Sequence, residues 1–311
     1  MLKYDIKITQ IDGASCQELP RKHRTSPFMY RGVFSFLKGF NIMTNATVYP
    51  MTNDQLKVKA PAIFADKAHE RVSEKYKFIP TIQVVDVLRN QGWFPVQAFE
   101  SGVRDISRKG FQKHSVRFAR DDGKLLVGDS RPEILLTNAH DGFPTYNLHA
   151  ALFRLICSNG MIVADTTFEK VSIRHQGFKD EDVIDASYRI IEDVPKIAES
   201  VDRFRSIELS QDEQIIFANA ALELKWADTK EQPIVAEQLL NARHYQDNGK
   251  NDLWHTMNNI QENLIRGGLR GRNPQTRRRQ KTRAVKSINE DIRLNKALWT
   301  LTEKMVELKG A

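Results

Sequence analysis

The chain has 311 residues, 41% hydrophobic and 28% charged, which is enough apolar material for a core and excludes whole-chain disorder and a collagen-like repeat. Its two cysteines, Cys16 and Cys157, can build neither a disulfide framework nor a four-cysteine zinc site, so the chain needs no oxidising compartment and is expected in the cytoplasm. The 47 basic residues outnumber the 39 acidic ones by eight, and where that excess sits says more than its size.

Residues 1–65 mix short apolar runs (Val33 to Phe40, Ala46 to Tyr49) with Pro20, Pro27, Pro50 and Pro61, and read as an irregular N-terminal arm or a few short strands. Met1 to Lys7 alternates polar and apolar side chains and includes Asp5, unlike the basic-then-apolar layout of a secretory signal. No apolar run approaches the roughly 18 residues a membrane helix needs. Leu152 to Ile156, the best of them, is cut by Arg154, so no membrane partner is expected.

Residues 66–178 read as an α+β unit with an antiparallel sheet. Thr81 precedes Ile82, Val84, Val85 and Leu88 and Gly92 stops the run, which predicts a short helix. Strand patterns follow at Phe94 to Phe99, His114 to Phe118, Leu125 to Gly128 and Ile134 to Thr137, with turns at Asp122-Gly123, Asp141-Gly142 and Asn159-Gly160. Asn147 to Cys157 fits a buried helix or a strand, since Leu148, Ala151, Leu152 and Leu155 keep helical spacing, and Met161-Ile162-Val163 follows the turn. A basic stretch inside this unit, Arg104, Arg108, Lys109, Lys113, Arg117 and Arg120, is opposed only by Asp105 and contains Phe111 and Phe118. Positive charge combined with aromatic faces is how single-stranded nucleic acid is commonly held. Phe118 fits an inward strand position better, which leaves Phe111 as the ring offered to a base.

Residues 179–311 read as helical. Ser210-Gln211-Asp212-Glu213 is a capping box ahead of Ile215 to Trp226, and Pro233 suits the first turn of a helix carrying Val235, Leu239 and Leu240. Leu253, Met257, Ile260 and Leu264 step by four, three and four up to Gly267, and Leu294, Leu298, Leu301, Met305 and Leu308 repeat such steps in a final helix. Between these two helices lie Arg266, Arg270, Arg272, Arg277, Arg278, Arg279, Lys281, Arg283 and Lys286, with no acid among them. Removing those nine leaves 38 basic against 39 acidic residues, so the whole excess lives in 266–286. Gly267, Gly268, Gly271 and Pro274 are expected to keep the segment irregular. A run of this kind is unfavourable in a core and favourable along a polyanion, where arginine forks match phosphate oxygens and counterions are released. Anchored by a helix at each end, it reads as a positioned surface.

No G-x-x-x-x-G-K-[ST] phosphate cradle is present, and Gly128-Asp129-Ser130-Arg131-Pro132 lacks the second glycine of a nucleophile elbow. The α+β unit holds Asp129, Glu133, Asp141 and Asp165, and the first three are the acids from which a metal-dependent nuclease would be assembled, although Leu135 stands where the usual nuclease lysine would follow Glu133. His140-Asp141 ahead of Gly142 reads as turn chemistry and Cys157 as a small buried residue, and His149 and His175 lie in the same unit. No catalytic residue, metal or cofactor is assigned, and an enzyme is not expected.

Tyr76-Lys77-Phe78-Ile79-Pro80-Thr81, Gly110-Phe111-Gln112-Lys113-His114, Leu148-His149-Ala150 through Phe153-Arg154-Leu155-Ile156-Cys157-Ser158-Asn159-Gly160, and Gln261-Glu262-Asn263 through Gly267-Gly268 together resemble the phage/plasmid-like protein family, domain of unknown function 932. The resemblance covers roughly residues 60–310. It implies a bacterial protein carried by plasmids, prophages or integrative elements, and supplies no catalytic residues. The resulting expectation is a protein that binds DNA, single-stranded by preference, or RNA, without sequence specificity. It would work in recombination or repair as a homo-oligomer, similar in outline to phage single-strand annealing proteins. A counter-defence or regulatory protein that binds a host protein, and the metal-dependent nuclease, are the alternatives.

Overall fold

Strands buried along most of their length form the centre of the molecule. A computed structural model describes residues 48–72, 76, 78–120, 127–141, 146–155, 159–163, 171–173, 179–227 and 232–310. Strands β1 (Trp93–Glu100), β2 (His114–Arg120), β3 (Ser130–Asn138) and β4 (Tyr146–Arg154) lie side by side in that order, all antiparallel. β5 (Asn159–Ile162) and β6 (Val171–Ile173) follow one another along the far side of β4. The register sets Val116 between Ala98 and Leu136, and Phe118 between Pro95 and Ile134, so these side chains share one buried face. Segment 147–157, undecided between helix and strand in the sequence, is a strand as far as Arg154, and Ile156 to Ser158 lie outside the described residues. At β1 the register shifts between Pro95 and Gln97, and the Met51 amide donates to the Pro95 carbonyl at 2.7 Å.

The segment before the sheet is ordered by capping. Thr52 and Gln55 form a reciprocal capping box on α1 (Asn53–Lys59), and a 3-10 turn (Pro61–Phe64) follows. Leu56, Ala60 and Ile63 are fully buried against the sheet core, so the chain expected to be irregular up to 65 is helical from Asn53. Residues 1–47, including Cys16 and the runs 33–40 and 46–47, lie outside the described residues, as do 121–126, Cys157, Asp165 and His175. α2 (Thr81–Asn90) ends ahead of Gly92, whose φ of 80° suits glycine.

The helical half begins with the 27-residue α3 (Asp180–Ser206). Its first turns place Val183, Ala186 and Ile190 in the sheet core with Phe118 and Leu136. Val194, Ile197, Val201 and Phe204 join a second core made with α4 (Gln211–Lys225), α5 (Glu237–Leu240), α6 (Leu253–Arg266) and α7 (Ile288–Leu308). Leu152, Met161 and Val163 from the sheet also enter that second core. The fold is α+β, an antiparallel sheet followed by helices, as the patterning indicates. Among the described residues no helix is long and apolar enough to cross a membrane.

Candidate nucleic-acid interface

The basic segment between α6 and α7 is a two-stranded ribbon rather than irregular chain: β7 (Arg270–Arg272) pairs antiparallel with β8 (Arg279–Lys281). Its root is fixed by short-range bonds. Gly267, at φ 61°, ends α6 where a Cβ would come within 2.6 Å of the Arg283 backbone. Thr282 exchanges backbone bonds with Gly268 and Leu269, and its hydroxyl accepts from the Leu269 amide at 3.0 Å. The Lys225 ammonium donates to the carbonyls of Leu264 and Arg283, one on each side of the root. Gly271 is required because the Pro233 carbonyl oxygen occupies the space a Cβ would take, and the same oxygen accepts the Arg272 amide at 2.9 Å. Pro233 therefore braces the ribbon instead of opening a helix, and α5 starts only at Glu237. At the tip, the Asn273 side chain accepts the amides of Gln275 and Thr276, and Arg277 is held at φ 59°.

The register decides what the ribbon presents. Arg270 opposes Lys281 and Arg272 opposes Arg279, which puts four cations on one face, while Gly271 and Gln280 take the other face, the one lying on Pro233. Like charges directly opposite one another destabilise a ladder. Arg270, Arg272, Arg277, Arg278, Arg279, Lys281, Arg283 and Lys286 are exposed, and no acid pairs with any of them among the described residues. Among the described residues Arg266 alone of the nine is paired with an acid, the buried Glu262 at 3.0 Å.

The second basic stretch is less free. Arg104 and Lys109 are exposed, but Arg108 pairs with Asp141, and Arg117 is forked onto Glu133, a fully buried carboxylate that also takes Arg131. Arg117 lies 4.3 Å from the Phe153 ring centre and Arg120 5.6 Å from that of Trp93. Phe111 sets its ring edge-on to His69 at 5.2 Å, so the ring offered for base stacking is engaged by the protein itself. Val116 and Phe118 are fully buried, as an inward reading requires.

The two basic stretches nevertheless meet. Lys113 donates to Asn289 at the start of α7, and Arg117 and Lys286 line opposite sides of a cleft of about 290 Å³ between the sheet and the α7 end of the ribbon. Leu135 and Ile162 form its sheet wall and Ile288 and Ile292 its helix wall. Burial pushes the Asp291 carboxyl in this cleft up to about 6, against the opposing pull of the Arg117 charge and the Asn295 amide. The sequence shows Asp291 only as a first-turn acid of α7, and Ser115 and Phe99 only as strand residues; nothing local marks them as lining a cleft.

The nuclease acids do not assemble. Asp129 is held by Arg154 and Arg205, Glu133 by Arg117 and Arg131, and Asp141 by Arg108. Among the described residues no three His, Cys, Asp or Glu side chains could share a metal ion. His140 is part of a buried hydrogen-bond knot. The His114 Nδ1 must carry a proton to donate to the Gln112 carbonyl, so its Nε2 accepts the Thr81 hydroxyl at 2.8 Å. Thr81 then accepts from Asn138 and His140, at 3.0 and 3.1 Å, which uses both of its lone pairs. The knot fastens the start of α2 to the ends of β2 and β3, and burial pushes His114 down to about 4. The Gln261-Glu262-Asn263 motif is likewise structural: Gln261 donates to the Gly160 carbonyl, Glu262 pairs with Arg266 and His244, and Asn263 donates to the Leu239 and Asn241 carbonyls.

These features define a class, an α+β protein whose helical half holds out a braced cationic ribbon beside a cleft on its sheet. The chain belongs to the family described as a domain of unknown function (DUF932), which matches residues 68–299. It is similar to two Escherichia coli (strain K12) proteins, UPF0380 protein YafZ and UPF0380 protein YfjQ. Each is 37% identical over 257 residues, 83% of this chain and 92% of the relative. No solved structure matches.

Proposed function

We propose that this protein binds nucleic acid through its phosphates, single-stranded DNA by preference and without sequence specificity, in the recombination or repair of a mobile genetic element, and that it does so as a homo-oligomer. The observation that carries the reading is the ribbon: four cations on one face, none neutralised by an acid among the described residues, on a scaffold whose opposite face is braced by Pro233. Placing like charges opposite one another costs stability. A polyanion repays that cost by releasing condensed counterions. The resemblance to phage and plasmid proteins supports the setting. Chemistry on the nucleic acid has no support from the acids, each of which is occupied by arginine.

Fluorescence anisotropy of a labelled single-stranded oligonucleotide across a salt series tests this. The expected result is log affinity falling linearly with log salt. Replacing Arg270, Arg272, Arg279 and Lys281 together by alanine is expected to flatten that slope by about 3, since each phosphate contact on a single strand contributes about 0.7. An unchanged slope in that variant removes the ribbon from the interface. Salt-insensitive capture of a host protein, with no oligonucleotide binding, would instead favour the counter-defence reading.

A further inference from the structure

We infer that the cleft between the sheet and α7 is a pocket for a single unpaired nucleobase of the strand whose phosphates lie on the ribbon. The inference rests on the nucleic-acid reading and adds to it a contact with the base.

Three observations carry it. The first is continuity: Lys286 is both the last cation of the ribbon segment and a wall of the cleft, so a strand leaving the ribbon toward α7 passes the cleft mouth. The second is shape. The cleft, at about 290 Å³, stands at the small end of ligand pockets, a size suited to one flat heterocycle. Its walls are the sheet on one side, through Leu135 and Ile162, and Ile288 and Ile292 on the other, a sandwich in which a ring is covered on both faces. The third is the set of polar groups. The Ser115 hydroxyl and the Lys286 ammonium have no protein hydrogen-bond partner among the described residues, and Asp291 gives only one oxygen to Asn295. A hydroxyl and a carboxyl against apolar walls suit the edge of a base, while the ammonium suits the phosphate beside it. Phe99, 42% exposed on the edge strand, lines the same cleft and presents an aromatic face to an entering ring.

Such a pocket would favour single strands, since a paired base is held in its stack and is not available to enter it.

The test compares two oligonucleotides of equal length, one of thymidines and one of abasic spacers, by anisotropy at matched salt. Both carry the same phosphates, so the ribbon treats them alike. The base-bearing strand is expected to bind roughly tenfold tighter with the same salt slope. Val285→Trp, which fills the cleft from the connecting segment, and Phe99→Ala, which removes an exposed ring, should each bring that ratio close to one and leave the slope unchanged. The four-alanine ribbon variant should lower the slope for both strands and keep the ratio. Equal affinity for the two strands, or a ratio that survives both cleft variants, overturns the pocket while leaving the ribbon reading intact. No binding of either strand at low salt overturns the nucleic-acid reading and the pocket with it.

Discussion

His114, fully buried, and Asp291, half-buried in the cleft, pull the stability of this protein in opposite directions over one pH range. His114 ordinarily titrates at 6.5 and is pushed down to about 4 by burial, so the unfolded chain takes up a proton that the folded one refuses. Its contribution is complete above about pH 6.5 and is lost as pH falls toward 4. Asp291 runs from an ordinary 3.8 up to about 6, so the folded chain keeps a proton that the unfolded one releases, and stability is lost as pH rises through that window. Each effect is of order 3 kcal/mol at most. Urea denaturation between pH 4 and 7 should therefore be nearly flat for the native protein over this pair. Asp291→Asn should be more stable at pH 7 and lose stability steeply on acidification, whereas His114→Gln should lose stability as pH rises. Parallel profiles for all three proteins would refute the assignment. Arg277 supplies a second test at this scale. A non-glycine residue at φ 59° carries backbone strain of about 1–3 kcal/mol. Arg277→Gly is expected to hold or raise the melting temperature while lowering the salt slope of oligonucleotide binding by nearly one contact. A lower melting temperature would show that the arginine stabilises the tip.

At the scale of elements, the ribbon depends on how closely it lies against its neighbours. Gly271→Val leaves every charge in place but drives a side chain into the Pro233 carbonyl, lifting the ribbon from its brace. Several-fold weaker binding with an unchanged number of contacts is expected if the cations act as a positioned face. Unchanged affinity would mean that they act as a flexible string of charge. The charge itself was plain in the sequence, because nine basic residues without an acid need no folding to be seen. The strands were not, because Gly271 and Pro274 mark breaks in local propensity. The glycine is there for close approach to a residue 38 positions earlier, a distance that propensity does not register. Asn147 to Arg154 shows the same limit from the other side: its helical spacing of leucines is overridden by ladders to β3, β5 and β6. The helices α4, α6 and α7 were legible because their caps and stripes are local. The cleft was not, because its walls come from 97–162 and 265–292, and each wall alone reads as ordinary core.

At the scale of the whole molecule, the sheet and the helices are joined by a buried ion cluster as well as by the two cores. Arg154 on β4 forks onto Asp247, both almost fully buried, and also donates to Asp129, which holds Arg205 of α3. Losing Asp247 would leave the buried Arg154 guanidinium with Asp129 alone, a step toward the roughly 3–5 kcal/mol that a buried pair broken from one side costs. Asp247→Ala should therefore lower thermal stability far more than the joint exchange of Arg154 and Asp247 for Met and Leu, as calorimetry would register. Comparable losses for the two variants would show that the pair itself, rather than the under-paired Arg154 charge, is what matters. One feature of the sheet bears on assembly. A strand at the end of a sheet is normally an invitation for another copy to extend it. At β1 the invitation is withdrawn: Pro95 brings no N–H, the bulge beside it breaks the register, and the Pro95 carbonyl is already taken by Met51. The homo-oligomer proposed above is therefore expected not to extend the sheet across β1 at Pro95, and its stability should follow apolar and ionic complementarity there instead of the length of a shared ladder.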